Sequence, residues 1–176
     1  DYLYEIENGF SNKTNMLGCC GIITNPPKKP WLYNYVFHIF HIGIFSDKRV
    51  GIFGNFTGNG HSLINSNVIS GGASAWKVKV FSEVQFDVKN DFHMVEDIEF
   101  STRVENYFGK QLYINPNARL AHNPSPINRG NIEQTQKKKV YEYILFYKKR
   151  RLLYRAVFDL VWLMVGILFE SVYNSL

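Results

Sequence analysis

The apolar residues at the start of the chain change from helical to strand-like spacing. Within residues 2–14 they recur at helical intervals, and residues 16–23 then form a continuous apolar run. The sequence Asn25-Pro26-Pro27 follows, which is typical of a turn. This pattern predicts a helix, a buried strand and a turn in that order.

The middle of the chain continues this alternation. A charged segment over 96–108 carries apolar residues at helical spacing and stops at Gly109, the expected end of a helix. The aromatic-rich segment 31–45 predicts an irregular helix or a loop on the core. The remaining segments predict strands at 50–54, 112–114 and 118–120, a glycine- and asparagine-rich loop at 55–67, and a short helix at 74–82. The alternation predicts an α/β fold with a mostly parallel or mixed sheet.

The net charge divides the chain into two parts. The formal charge of +5 lies entirely in residues 137–176, because residues 1–136 carry equal numbers of basic and acidic side chains. A chain of 176 residues is long enough for one core and an appendage. We therefore predict a globular part over 1–136 and a basic, apolar helical tail over 137–176.

The cysteine content excludes a disulfide-based fold. The only two cysteines are the adjacent Cys19 and Cys20, and neighbouring residues on a strand point to opposite faces. A reducing compartment fits this pattern best.

Four short stretches contain the candidate chemistry. The first is Ser70–Lys77, with Gly71-Gly72, and the second is Phe86-Asp87. Glu96-Asp97 then opens the predicted helix, and a final stretch runs from Gly109 through Asn115-Pro116 to His122. In order and spacing, over roughly residues 50–130, this set resembles the family 2 glycosyltransferases of the glycosyltransferase-A fold.

The resemblance implies an incomplete enzyme. Its expected fold is a partial glycosyltransferase-A fold, a three-layer α/β arrangement with a mixed sheet, of which this chain holds the acceptor-side half plus C-terminal helices. The nucleotide-binding half and the Asp-x-Asp metal motif would precede Asp1. We expect the chain alone to be inactive.

The resemblance assigns the role of catalytic base to Asp97. Inverting sugar transfer needs a carboxylate that takes the proton from the acceptor hydroxyl as it attacks the anomeric carbon. Acidic residues in the first turn of a helix also cap free N–H groups, so Glu96 and Asp97 have a purely structural alternative role. The two roles are compatible.

The resemblance also implies a divalent cation, Mg²⁺ or Mn²⁺, whose main ligands would lie upstream of this chain. His122 matches a late histidine that completes the metal shell in the family. A solvent-facing histidine at a strand end is the alternative, because one histidine cannot hold a metal by itself.

Donor or acceptor contacts are implied for Gly71, Gly72, Trp76, Glu96 and Arg129. The glycines would let the backbone approach a sugar closely, although a tight turn needs glycine too. Trp76 is either a sugar platform or a core aromatic on a short helix. Arg129 either meets a phosphate from a mobile loop or lies exposed on the surface.

The tail has the composition of a membrane-surface helix. Clusters of lysine and arginine precede an apolar run at 160–169, which is shorter than the ~20 residues of a spanning helix and follows Asp159. We predict that it lies on an anionic membrane surface at the cytoplasmic face. The alternative is packing on the core or on a partner chain. No nucleic-acid recognition motif is present, so we expect no nucleic-acid partner.

Two functions remain open from the sequence. The first is a glycosyltransferase of polysaccharide biosynthesis, with a nucleotide-sugar donor and a glycan or lipid-linked acceptor. The second is a non-catalytic membrane-surface or protein-interaction module.

Overall fold

A computed structural model of the chain describes residues 1–26, 30–42, 62–90, 92–123, 132–149 and 153–175. The strand predicted at 50–54 lies outside these residues, as does most of the proline-rich loop that contains Arg129.

The described residues form two compact units. The first contains residues 1–26, 62–87 and 96–123, and the second contains 30–42, 88–90, 92–95, 132–149 and 153–175. The sequence predicted one division, at residue 136. The second unit instead combines the tail with two earlier segments, because Glu142 and Trp162 hydrogen-bond to the backbone of those segments.

The first unit is built on a four-stranded mixed sheet, so the α/β class predicted from the sequence is confirmed. The strands are β1 (Gly18–Ile23), β2 (Ile64–Asn65), β3 (Ser74–Trp76) and β4 (Leu112–Leu120), in the spatial order β2-β4-β1-β3. The central strand β1 is parallel to β4 and antiparallel to β3, while β2 is antiparallel to β4.

Helices cover both faces of this sheet. Helix α1 (Tyr2–Asn12), which the sequence predicted, packs its Ile6 against Cys19 of β1 and Ala118 of β4. On the other face, Cys20 packs with residues of helices α3 (Lys79–Glu83) and α4 (Glu96–Phe108). The two cysteines are buried, free and on opposite faces of the strand, as expected.

Helix α4 has the bounds predicted from its charge and apolar spacing. Its buried face includes Ile98, Phe100 and Val104. Gly109 follows with a φ of 84°, the left-handed conformation that glycine adopts without strain, and its N–H donates to the Glu105 carbonyl at 2.8 Å. These features explain why the helix stops there.

The short helix predicted over 74–82 was wrong in its first half. Residues Ser74–Trp76 form strand β3, and the helix begins only at Lys79. Strand β3 pairs with β1, and Trp76 lies directly over Gly18, where an added Cβ would come within 2.8 Å of the indole. This long-range packing overrides the local helical preference.

Two other strand predictions also differ from the structure. The pieces expected at 112–114 and 118–120 form one strand, β4, which continues through Pro116. Proline is accepted there because the β1–β4 pairing is irregular at this point. The predicted loop at 55–67 contains the two-residue strand β2, since Ile64 and Asn65 find partners on β4.

The second unit is helical in its described parts. It contains α2 (Trp31–Phe37), which continues as a π-helix over His38–Ile42, and the two tail helices α5 (Ile132–Lys148) and α6 (Leu153–Ser175). Phe40 packs against Gly166 of α6, and its ring lies 4.8 Å from that of Trp162. None of the described helices is both long and apolar enough to cross a membrane.

Gly21 of β1 provides a test of this packing. A Cβ at this position would collide with the carbonyl oxygen of Ala118 and come within 2.5 Å of the Tyr2 ring. We expect Gly21→Ala to lower the free energy of unfolding by about 3 kcal/mol, as for an overpacked core. Gly72→Ala is the matched control, because no atom lies within 4 Å of its Cβ position. Equal denaturation midpoints for the two variants would contradict the central position of β1.

Candidate functional site

The Gly-Gly turn and the acidic helix start, which are separate in sequence, meet in the first unit. Gly71 begins a 3₁₀ turn over Gly71–Ala73, and a Cβ on it would lie 3.4 Å from Glu96 Oε1 and 3.6 Å from Asp97 Cβ. These are ordinary van der Waals separations, so the Gly-Gly turn and the start of α4 are neighbours in the fold.

Asp97 lies in the first turn of α4 and is half-buried, whereas Glu96 is exposed. The Asp97 Oδ1 atom accepts a hydrogen bond from the N–H of Ile98 at 2.8 Å. Asp97 therefore accepts a hydrogen bond from an N–H group at the helix start, which is the structural alternative to catalysis. Its side chain is also partly accessible at the protein surface.

Glu99 does not add an unbalanced charge beside Asp97. It is 3% exposed and pairs with Arg103, whose Nε and Nη2 donate to the two carboxylate oxygens at 2.7 and 2.8 Å. The Arg103 guanidinium also lies over the Phe100 ring. This arrangement neutralises the buried acid and fixes that side of α4.

His122 lies just beyond β4, at the same edge of the sheet as the Gly-Gly turn. Because β1 and β4 are parallel and β3 is antiparallel to β1, the ends of β1 and β4 share an edge with the start of β3. The N–H of His122 donates to Asn25 Oδ1 at 2.7 Å, and Asn25 Nδ2 donates back to the His122 carbonyl at 3.2 Å. The His122 residue is exposed. Ligands in open α/β folds bind at this kind of edge.

A metal ion does not fit the described residues alone. No group of three or more His, Cys, Asp or Glu side chains comes together among them in a way that could hold one. His122 could supply a single nitrogen ligand, and the rest of the shell would have to come from elsewhere.

The other predicted contact residues have different surroundings. Gly72 is exposed and borders open space. Trp76 is half-buried: it meets the Phe100 ring edge-on at 4.8 Å, and its Nε1 donates to Ser74 Oγ at 3.0 Å. This packing agrees with the core role that was the alternative to a sugar platform for Trp76. The residue lies on strand β3, however, and not on the predicted helix. Arg129 lies outside the described residues.

Tyr2 supports the site, although its only signal in the sequence is an aromatic residue at a helix start. Its hydroxyl donates to the carbonyl oxygen of Ala73 and accepts from the N–H of Gly21 at 3.2 Å. One side chain of α1 thus ties the Gly-Gly turn to the central strand. Burial raises the pKa of Tyr2 to about 12.

Glu142 supports the second unit as Tyr2 supports the first, by hydrogen bonds to the backbone of a distant segment. This residue of α5 is 1% exposed, and its carboxylate accepts hydrogen bonds from the N–H groups of three successive residues, His93, Met94 and Val95, at 2.7–3.1 Å. The segment 93–95 immediately precedes Glu96 in the sequence. The buried role of Glu142 could not be predicted from hydrophobic periodicity, because a glutamate in a lysine-rich helix is normally solvated.

The Tyr2 hydroxyl leads to a pH-dependent prediction. The folded protein retains this proton at pH values at which the unfolded chain, with a tyrosine pKa near 10.0, has lost it. Its contribution to stability is therefore complete below about pH 10 and decreases as the pH rises towards 12. Burial raises the pKa of Cys19 to about 12 and has the same sign of effect.

We expect Tyr2→Phe to lower the free energy of unfolding at pH 7 by about 1–3 kcal/mol, because it leaves a backbone donor and acceptor without a partner. The difference from wild type should shrink above pH 10. Tyr4→Phe, at a residue 64% exposed, is the control. A pH-independent difference in urea denaturation would show that the hydroxyl does not carry the effect.

Glu142→Ala should destabilise the second unit by about 3 kcal/mol, because the N–H groups of three successive residues lose a charged acceptor. Hydrogen exchange should accelerate at the amides of residues 93–95. Glu133→Ala is the control: Glu133 is on the same helix, but it is exposed and its carboxylate pairs with the exposed Lys137. Unchanged exchange at those three amides in the Glu142 variant would contradict the assignment.

No family model, curated protein or solved structure matches this chain.

Proposed function

We propose that this chain is the acceptor-side part of an inverting glycosyltransferase with a glycosyltransferase-A fold. One observation supports this proposal most: the turn at Gly71 lies beside the side chains of Glu96 and Asp97, which a Cβ added to Gly71 would meet at 3.4 and 3.6 Å. The order of motifs by itself does not require this proximity. A catalytic carboxylate beside a glycine turn at a sheet edge has room for a substrate close to the backbone.

In the proposed reaction, the acceptor hydroxyl oxygen attacks the anomeric carbon of a nucleotide-diphosphate sugar. The bond between that carbon and the diphosphate oxygen breaks, and the diphosphate leaves on the opposite face. Asp97 accepts the hydroxyl proton. Gly71 and Gly72 would admit the acceptor or donor next to this carboxylate, while Tyr2 and Arg103 hold the elements that carry it.

The resemblance to the family supplies three further parts of the proposal. A divalent cation would neutralise the charge of the leaving diphosphate, with His122 as one ligand. Arg129 would meet a phosphate oxygen. The nucleotide-sugar donor would bind largely to a half of the enzyme that precedes this chain.

Membrane association at the cytoplasmic face is part of the same proposal. Residues at helical spacing form an exposed apolar stripe along α6, which comprises Val157, Phe158, Val161, Trp162, Val165, Leu168, Phe169 and Val172. The exposed Lys148, at the end of α5, and the exposed Lys149, which follows it, supply positive charge in the same unit. An apolar face together with basic residues suits a helix that lies in an anionic membrane surface. Lipid-linked or cell-envelope acceptors would be found there.

The catalytic proposal is tested by Asp97→Asn in the full-length enzyme. We expect kcat to fall by a factor of about 10² to 10⁴, because general-base catalysis is lost. The Kd for the donor should remain unchanged, since the amide keeps the shape of the side chain. Glu7→Gln on the outer side of α1 removes one negative charge as well and is the control.

Wild-type turnover by the Asp97 variant would overturn the assignment. The module hypothesis would then be favoured, because the exposed stripe of α6 does not depend on Asp97. A loss of donor binding together with activity would point to a structural role for Asp97 at the helix start.

Flotation with lipid vesicles tests the membrane proposal. We expect the protein to float with vesicles that contain anionic lipid and to detach at high salt. Replacing Val157, Val161 and Val172 of the stripe by serine should reduce the bound fraction about tenfold or more. Val78→Ser/Val88→Ser is the control, because both valines are over 80% exposed but lie outside α6. Equal binding of both variants would contradict the role of the stripe.

A further inference from the structure

A long groove in the second unit lies between the two tail helices and is not used by the proposed reaction. It has a volume of about 760 Å³. On α5 its lining residues recur at helical spacing between Glu133 and Ile144, and on α6 between Met164 and Ser171. At 1.5 Å per residue, the α5 wall is about 16 Å long.

The shape of the groove fits an extended chain better than another helix. Spread over its length, the volume corresponds to a mean cross-section of about 50 Å², roughly half that of an α-helix with its side chains. The volume lies within the ~300–1,000 Å³ of typical small-molecule sites. An extended alkyl chain is narrower than a helix and can lie along such a groove.

The two ends of the groove differ in polarity. Residues 149–152 alone separate α5 from α6, so the helices run antiparallel and the start of α5 lies beside the end of α6. Polar residues line that end: Glu133, Gln136, Lys137 and Ser171. Apolar residues line most of the remainder: Val140, Ile144, Met164, Ile167 and Leu168. An amphiphile, with a polar head and an apolar chain, has the same distribution of polarity.

The polar end favours a neutral head that donates a hydrogen bond. Lys137 Nζ lies 2.6 Å from Glu133 Oε1, so the two charges compensate each other and favour neither sign of ligand charge. Gln136 Oε1 is buried, and no donor in the described part of the chain bonds to it. The last torsion of a glutamine side chain is soft, so a small rotation turns this oxygen towards the groove. A ligand hydroxyl would then satisfy it.

The groove is continuous with the exposed apolar stripe of α6. Leu168 belongs to both and is 65% exposed. An amphiphile held in a lipid surface against the stripe would therefore reach the groove without exposing its chain to water.

We propose that the groove between α5 and α6 binds a single-chain amphiphile with a neutral, hydroxyl-bearing head, such as a long-chain alcohol or a monoacylglycerol. The inference does not rest on sugar transfer, because none of the groove residues belongs to the candidate site. Failure of either proposal would leave the other standing.

The test is an NMR titration of the isotope-labelled 176-residue chain. Octanol, decanol and dodecanol are added in turn without lipid, each below its solubility limit. Saturable shifts should appear at the Gln136 side-chain NH₂ group and at the methyl groups of Ile167 and Leu168. Each further pair of CH₂ groups should lower Kd about tenfold, because more of the chain is buried.

Val140→Phe narrows the groove and should weaken decanol binding about tenfold or more. Val161→Phe is the matched control, because this valine is exposed on the stripe of α6 but does not line the groove. An absence of saturable shifts in the wild-type protein, or equal decanol binding by the two variants, would overturn the proposal. The same shifts on concentrating the protein without alcohol would also overturn it, since a second copy would then occupy the groove.

The methyl ether of decanol tests the head group, because it has no hydroxyl donor. The ratio of its Kd to that of decanol should be about fivefold larger for the wild-type protein than for Gln136→Leu. Leucine is a good helix former and leaves no buried acceptor, so this variant should fold. An equal ratio in the two proteins, or tighter binding of decanoate than of decanol, would overturn the assignment of a neutral hydroxyl head.

Discussion

Strand β1 pairs with two neighbours at once, and this double pairing determines where the candidate site lies. It runs parallel to β4 and antiparallel to β3, so the end of β4 and the turn before β3 come to the same edge of the sheet. Gly18 and Gly21 make the pairing possible, because Trp76 and the backbone of β4 occupy the space that side chains would need. Without β1, the positions of the Gly-Gly turn and His122 relative to each other would not be fixed.

Much of this arrangement could be predicted from local patterns. Helices α1 and α4 and strand β1 have strong periodicity or clear end signals, and the structure places them within two residues of the predicted bounds. Strands β2 and β3 were missed because they are two and three residues long, and their partners are distant in sequence. A short strand is specified by its neighbours more than by its own residues.

The site was predictable as a set of residue types, but its supporting contacts were not. The order of Gly71-Gly72 and Glu96-Asp97 identified two candidate segments, and their proximity in space appears only in the structure. The hydrogen bonds of Tyr2 and Glu142 could not be predicted, because each side chain acts on backbone groups at least 19 positions away. Such contacts leave no periodic signal in a single sequence.

The proposed function depends on Asp97 as the group that would take a proton from the acceptor. The most direct test is a crystal structure of the whole protein with an unreactive nucleotide-sugar analogue and the acceptor bound. Under the proposal, an Asp97 carboxylate oxygen should lie about 2.6–3.2 Å from the attacking hydroxyl, with Gly71 or Gly72 beside the sugar. An acceptor hydroxyl bound out of hydrogen-bonding reach of Asp97, or one bonded to a different carboxylate, would contradict it.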